Sequence, residues 1–169
     1  MPDTGLKSPS ATGEDYTDFT NPTNAYSSDD TYATATTNAE AQDWYNYTFG
    51  LAGTETIVGI EMTMEDKDNN TGDSVKYNPE ISPDGGTTYV QGTNWQRVSS
   101  TIEGTRTAGG AAQLWGRVWS ASDFTNANFR SRITIADMRN ATLYSLDHIQ
   151  VKVYYTEAPT STGMFAMFN

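Results

Sequence analysis

From Asn21 onward, apolar and polar residues alternate with a period of two. In "TIVGIEMTMEDK" (56–67), Val58, Ile60, Met62 and Met64 share one face and Gly59, Glu61, Thr63 and Glu65 the other. That is the pattern of a half-buried antiparallel strand. "SVKYNPEIS" (74–82) repeats it with Val75, Tyr77 and Ile81 inward, and its Pro79 predicts an edge or a bulge. "SPDGGTTYV" (82–90) supplies a turn between two such runs. "NFRSRITI" places Phe129, Ser131, Ile133 and Ile135 inward, with Arg130, Arg132 and Thr134 outward. In "DHIQVKVYY", Ile149, Val151, Val153 and Tyr155 face in and His148, Gln150, Lys152 and Tyr154 face out. The one helical signal is "SASDFTNA", where Ser120 caps a single turn with Asp123 at its third position. Many short strands joined by turns predict an all-β fold, a single antiparallel β-sandwich of jelly-roll type.

Outside the alternation the ends read differently. Residues 1–20, rich in Thr, Ser, Pro, Gly and Asp, predict a flexible extended arm that does not fold alone. The sandwich is expected over 21–157 and a tail over 158–169. In that tail Met164, Phe165, Met167 and Phe168 follow a polar Pro159–Gly163 tether. Burying one such side chain contributes about 1.5–3 kcal/mol, so the four are expected to be assembly contacts, covered by another subunit or another protein.

The 169 residues make one domain, large enough to bury roughly 70% of its unfolded surface. Cysteine is absent, which excludes disulfides, thiolate metal sites and a cysteine nucleophile. Ten basic against 21 acidic residues give a formal charge of -11. Such a surface repels phosphate backbones, so no nucleic-acid partner is expected. The N-terminus lacks the basic and apolar regions of a secretory signal, and no stretch approaches the ~20 apolar residues of a membrane helix.

Catalytic chemistry is not legible. The single histidine, His148, follows Asp147, but adjacent strand residues point to opposite faces and no Gly-x-Ser-x-Gly elbow presents a serine. A surface role is expected for it. Zinc would need more His or Cys. "EDKDNNTGD" (65–73) offers Asp66, Asp68, Asn70 and Asp73 as a calcium candidate, yet Thr71 stands where an EF-hand loop needs glycine. A plain acidic turn without a cofactor is the expectation there, and "SSDD" (27–30) is a second, sparser oxygen cluster. Aromatic residues bear on binding: Trp95, Tyr89 and Trp44 are candidates for stacking on sugar rings, whereas Trp115 and Trp119 are expected in the core.

Several segments in order carry a family resemblance: "NPTNAYSSDDTYATA" (21–35), "FGL" (49–51), "ETIVGIEMTME", "ISPDGGTTY", "LWGRVWSASDFTNANFRSRI" (114–133) and "LDHIQVKVYY" (146–155). Over roughly residues 20–156 the chain resembles a jelly-roll domain common in tailed-phage virion proteins (head decoration, head-fibre and tail-associated components) and in some bacterial surface proteins. The resemblance carries no catalytic residues. It implies a non-enzymatic structural protein on the virion surface, a capsid decoration or head-fibre component. Its partners would be copies of itself, such as a trimer, and another virion protein such as the major capsid protein. The alternative is a carbohydrate-binding module on a virion or cell surface. A small hydrolase would require a carboxylate pair in a deep cleft.

Overall fold

The computed structural model describes residues 1–70, 74–92, 95–139 and 143–158. They form an antiparallel two-sheet β-sandwich of ten strands: β1 (Ala11–Thr17), β2 (Ala33–Ala35), β3 (Ala41–Tyr45), β4 (Thr56–Asp68), β5 (Ser74–Ser82), β6 (Val90–Gln91), β7 (Gln96–Val98), β8 (Gly104–Gly110), β9 (Arg130–Arg139) and β10 (Tyr144–Thr156). One sheet runs β1-β3-β9-β5-β6, with β7 also paired to β5; the other runs β2-β10-β4-β8. The helical elements are 3-10 turns over Pro22–Ala25 and Ala121–Phe124. In the second, the Ser120 amide donates to Asp123 Oδ2 at 3.0 Å, as the sequence predicts. Among the described residues no helix is long and apolar enough to cross a membrane.

The inward residues of the long strands close the core. Ile60, Met62 and Met64 of β4, Val75, Tyr77 and Ile81 of β5, Ile133 of β9, and Ile149, Val151 and Val153 of β10 have no solvent exposure. Val58 departs from its expected place. The register of β4 against β10 shifts between Tyr154 and Tyr155, so Ile57 is buried and Val58 only half-buried. Pro79 sits in an interior strand, between the stretch of β5 that pairs with β7 and the stretch that pairs with β6, where its missing N–H interrupts neither ladder. Trp115 enters the core by close approach of the backbone. Its Nε1 donates to the Ile60 carbonyl at 3.0 Å, and a Cβ on Gly109 would stand 2.6 Å from that same Nε1.

The expected N-terminal arm is instead part of the sandwich. Residues 2–7 run along the free edge of β10, with Lys7 and Val151 exchanging two backbone bonds of 2.9 Å and the Thr4 amide donating to the Val153 carbonyl at 3.1 Å. The chain then crosses to the other sheet, where β1 pairs with β3. Backbone pairing at the two sheet edges orders a segment whose side chains bury little. The expected assembly contacts Met164, Phe165, Met167 and Phe168 lie outside the described residues, as does Asp73.

Candidate functional site

The outer face of the six-stranded sheet is built from outward positions of β3, β9 and β5 under a rim from β1 and the β5–β6 loop. Antiparallel register sets Glu80 of β5 and Asp43 of β3 on either side of Arg132 of β9. Arg132 donates to both Glu80 carboxylate oxygens at 2.8 Å, and the Thr134 hydroxyl adds a bond of 2.7 Å. The Arg132 guanidinium lies 3.7 Å from the Tyr89 ring centre and 4.3 Å from that of Tyr16. Those two rings meet edge to face at 5.7 Å. Stacking and a bidentate pair together fix the arginine plane, as cation–π contact and fork geometry favour.

One step along β9, Arg130 is buried over the Tyr45 ring at 4.2 Å and is ringed by Glu14, by Asp15 at 3.6 Å and by Asp43 at 3.8 Å. Sequence alternation placed Arg130 outward, and it is, but the β1 acids cover it. Asp43 accepts the Gly13 and Tyr16 amides on Oδ1, while its Oδ2 has no hydrogen-bond partner among the described residues. Burial pushes the Asp43 carboxyl up against the pull of the Tyr16 amide and Arg130. Burial, then the charge of Asp43, likewise pushes up the Tyr89 phenol, whose hydroxyl has no partner among the described residues.

At the other end of β5, Trp95 is 51% exposed, with the Lys76 ammonium 4.7 Å from its ring centre. Between the two aromatic points Asn78 accepts from Gln91 Nε2 at 2.7 Å. Lys76 and Glu80 are four residues apart on one strand, about 13 Å. The face therefore carries an open indole at one end, an arginine–tyrosine cluster at the other and amide groups between.

Of the predicted stacking residues, Trp95 is open and Tyr89 half-buried on this face. Trp44 is not available: it points inward with no exposure, and its Nε1 donates to the Pro22 carbonyl at 3.0 Å. Trp115 and Trp119 are buried, as expected. Tyr16, Arg132 and Glu80 were missed as site residues because cross-strand register, rather than local spacing, assembles them.

The calcium candidate at 66–73 is also corrected. β4 continues through Asp68, so the two-residue spacing of Asp66 and Asp68 turns both toward the interior. Asp66 is enclosed by Arg106 and by the Tyr77 and Tyr144 hydroxyls at 2.6 and 3.1 Å, which occupy its oxygens. Burial pushes its carboxyl up to about 6, with Arg106 pulling the other way.

His148 is covered rather than freely exposed. Its Nε2 lies 2.8 Å from Ser8 Oγ, and its Nδ1 stands 3.9 Å from Glu65. The Ser-His-Glu order is that of a hydrolytic relay, but 3.9 Å is too long for a hydrogen bond to orient the ring. Gln150 also donates to Ser8 Oγ, so the hydroxyl fastens the N-terminal segment to β10. Two surface clefts, about 210 and 300 Å³, open at loops 48–51 with 121–126 and 52–55 with 155–158. Glu55 and Glu157 are the carboxylates that line them, both in the larger one.

No family model matches the chain, and no curated protein matches it in sequence. Among solved structures, the CBM22-1 xylan-binding domain of Paenibacillus barcinonensis Xyn10C superposes with a TM-score of 0.51 at 11% identity, over 92% of this chain and 96% of that one. The CBM22-1–CBM22-2 tandem of the same Xyn10C gives 0.50 at 12% identity, over 96% and 48%. A truncated AlyQ with CBM32 and alginate lyase domains gives 0.50 at 14%, over 94% and 35%. The two-sheet fold is similar to that of these carbohydrate-binding modules. At these identities the likeness extends to fold alone, and it leaves the resemblance to phage virion domains untested.

Proposed function

We propose that the chain is a non-catalytic carbohydrate-binding β-sandwich, and that glycan lies along the outer face of the six-stranded sheet. The observation that carries this reading is Trp95, a half-exposed indole beside a row of ordered polar groups. An aromatic ring stacks on the C–H face of a pyranose, while planar amide and carboxylate groups bond its hydroxyls. The Arg132–Glu80 pair is internally neutral and the whole chain carries -11, so neutral polysaccharides fit better than polyanions. The similar structures, a xylan-binding domain among them, support the same class.

Affinity electrophoresis against xylan, mixed-linkage glucan and alginate tests it. Retardation by a neutral polymer is expected, weakened about tenfold (~1.4 kcal/mol) by Trp95→Ala. Absence of binding to every polymer, or a Trp95→Ala variant retarded like the parent, would overturn the reading.

The resemblance over residues 20–156 favours a virion setting for such a module. In that setting Met164, Phe165, Met167 and Phe168 attach it to another copy or to a capsid protein. Truncation after Thr162 is then expected to leave a folded protein that no longer joins particles.

A further inference from the structure

The outer face of the other sheet holds an acidic cluster that the glycan reading does not use. Glu65 projects from the C-terminal part of β4, and Glu103 immediately precedes β8 on the same side. Asp147 joins them through an irregularity in β10. Leu146 pairs with Asp66 and His148 with Glu65, so Asp147 is the extra residue of a bulge. Strict alternation would have turned it away from His148, whereas the bulge brings its carboxylate beside that of Glu65. One oxygen from each of the three carboxylates lies within 4.8 Å of the others.

A second observation separates this cluster from ordinary surface acidity. Asp147 is only 1% exposed, covered by the loop after the first 3-10 turn, whose Asp29 amide donates to Oδ1 at 3.3 Å. Its other oxygen, Oδ2, is buried without a hydrogen-bond partner among the described residues, and so are Glu65 Oε2 and Glu103 Oε2. All three carboxylates of the cluster therefore carry a buried oxygen with an unused lone pair. Of the ion pairs among the described residues, only that of His148 Nδ1 with Glu65 Oε2, at 3.9 Å, reaches the cluster. Asp29 and Asp30 add further negative charge around it. Burial first, and then these neighbouring carboxylates, push the Glu103 and Asp147 carboxyls up.

We infer that Glu65, Glu103 and Asp147 bind a divalent cation of calcium's size, which fastens β4, β10 and the start of β8 together. The donor set is all oxygen, which hard cations take. Opposite ligands around Ca²⁺ lie about 4.6–5.2 Å apart, twice the Ca–O distance, against about 4.1 Å for Mg²⁺. All three oxygens lie within 4.8 Å of one another, inside the coordination sphere of Ca²⁺, whereas Mg²⁺ demands near-ideal octahedral geometry and dehydrates reluctantly. Main-chain carbonyls and waters complete the six to eight ligands that Ca²⁺ takes. The ion cancels a repulsion that His148 beside Glu65 and the Tyr32 hydroxyl bonded to Glu103 offset only in part, so its effect is on stability and stands independently of the glycan site.

Titration calorimetry and thermal melting of the full chain with CaCl₂, after EDTA treatment, decide this. MgCl₂ and NaCl of equal ionic strength serve as controls. One Ca²⁺ site is expected, with a rise in Tm that Mg²⁺ and Na⁺ do not match. Glu103 is half-buried and is not needed for packing. Glu103→Gln is therefore expected to raise the Tm of the metal-free protein, by relieving repulsion, and to lower Ca²⁺ affinity at least tenfold. Asp137→Asn, remote on β9, keeps the Ca²⁺ response. No heat and no Tm shift at calcium concentrations up to about 10 mM, well above the range of weak extracellular sites, would overturn the inference. So would a Glu103→Gln variant that responds to Ca²⁺ like the parent.

Discussion

At the scale of single residues, the most consequential side chain is the buried Asp66 with its three donors, Arg106, Tyr77 and Tyr144. A carboxylate at zero exposure is tolerated only while paired, and removing one partner of such a pair typically costs about 3–5 kcal/mol. Arg106→Met is expected to destabilise by that order at pH 7, because the ionised Asp66 then keeps only the two phenols. The sign of the pH dependence follows from the raised folded value of about 6 against an unfolded value near 3.8. The folded state holds the extra proton between those limits, so this group's contribution grows as pH falls. In the variant the folded value moves higher still, and much of the lost stability returns at pH 5. Urea denaturation at pH 5 and pH 7.5 measures both, and a loss equal at the two values would show that Asp66 is not the cause. The same residue shows how sequence spacing misleads. Acids at every second position suggest an ion-binding loop, but along a continuing strand that spacing is also one face, here the inner one.

At the scale of elements, the segment before the sandwich proper acts as a strap joining both sheets. Four backbone hydrogen bonds tie residues 2–7 to β10. At roughly 1 kcal/mol each, less the entropy of ordering the segment, deleting residues 1–8 is expected to cost about 2–4 kcal/mol. It would also bare the β10 edge to strand addition, seen as concentration-dependent aggregation. An unchanged urea midpoint in the deletion variant would return the segment to the free arm its composition suggests. The long strands β4, β5, β9 and β10 were legible because each buries one side of its alternation. β1 was not, because "ATGEDYT" is held by main-chain pairing and by the Arg130–acid contacts, neither of which leaves an apolar pattern. β2, β6 and β7, at two or three residues, are too short to show a period. On the candidate face, Trp95 stood out by type, but Arg132 and Glu80 meet only through the β5–β9 register. The outward Lys76-Asn78-Glu80 and Arg130-Arg132 runs were the available signal. In "DWYNYTFG" the crowding of rings masks the alternation that turns Gln42 and Trp44 in and Asp43 and Tyr45 out.

At the scale of the whole molecule, charge sets the conditions under which the sandwich is most stable. With a net charge of -11, the compact state repels itself at neutral pH. Asp43, Asp66, Glu103 and Asp147 share a raised carboxyl in the folded state, burial being the first cause for each. Each therefore binds its proton more tightly folded than unfolded, and stability rises as pH falls from 7 through the folded values, about 6 for Asp66. Asp29, Glu55 and Asp84 are shifted the opposite way. The first two are lowered chiefly by hydrogen bonds from Thr31 and Ala52; Asp84 is lowered by bonds from Thr88 and Ser82 that outweigh burial. What they contribute is present above their unfolded values and is lost as pH falls through the lower folded ones. The first group gains from its folded values down to the unfolded carboxyl values, and the second is lost only below those. Without calcium the melting temperature should therefore peak at about pH 4–5 and decline toward about pH 8. Added Ca²⁺ should lift the neutral and alkaline side most, because its ligands must be deprotonated, and so move the optimum upward. Melting curves from pH 4 to 8.5, with EDTA and with CaCl₂, read both effects. A metal-free optimum at pH 7 or above would mean that the buried carboxyls are stabilised by their partners more than burial penalises them.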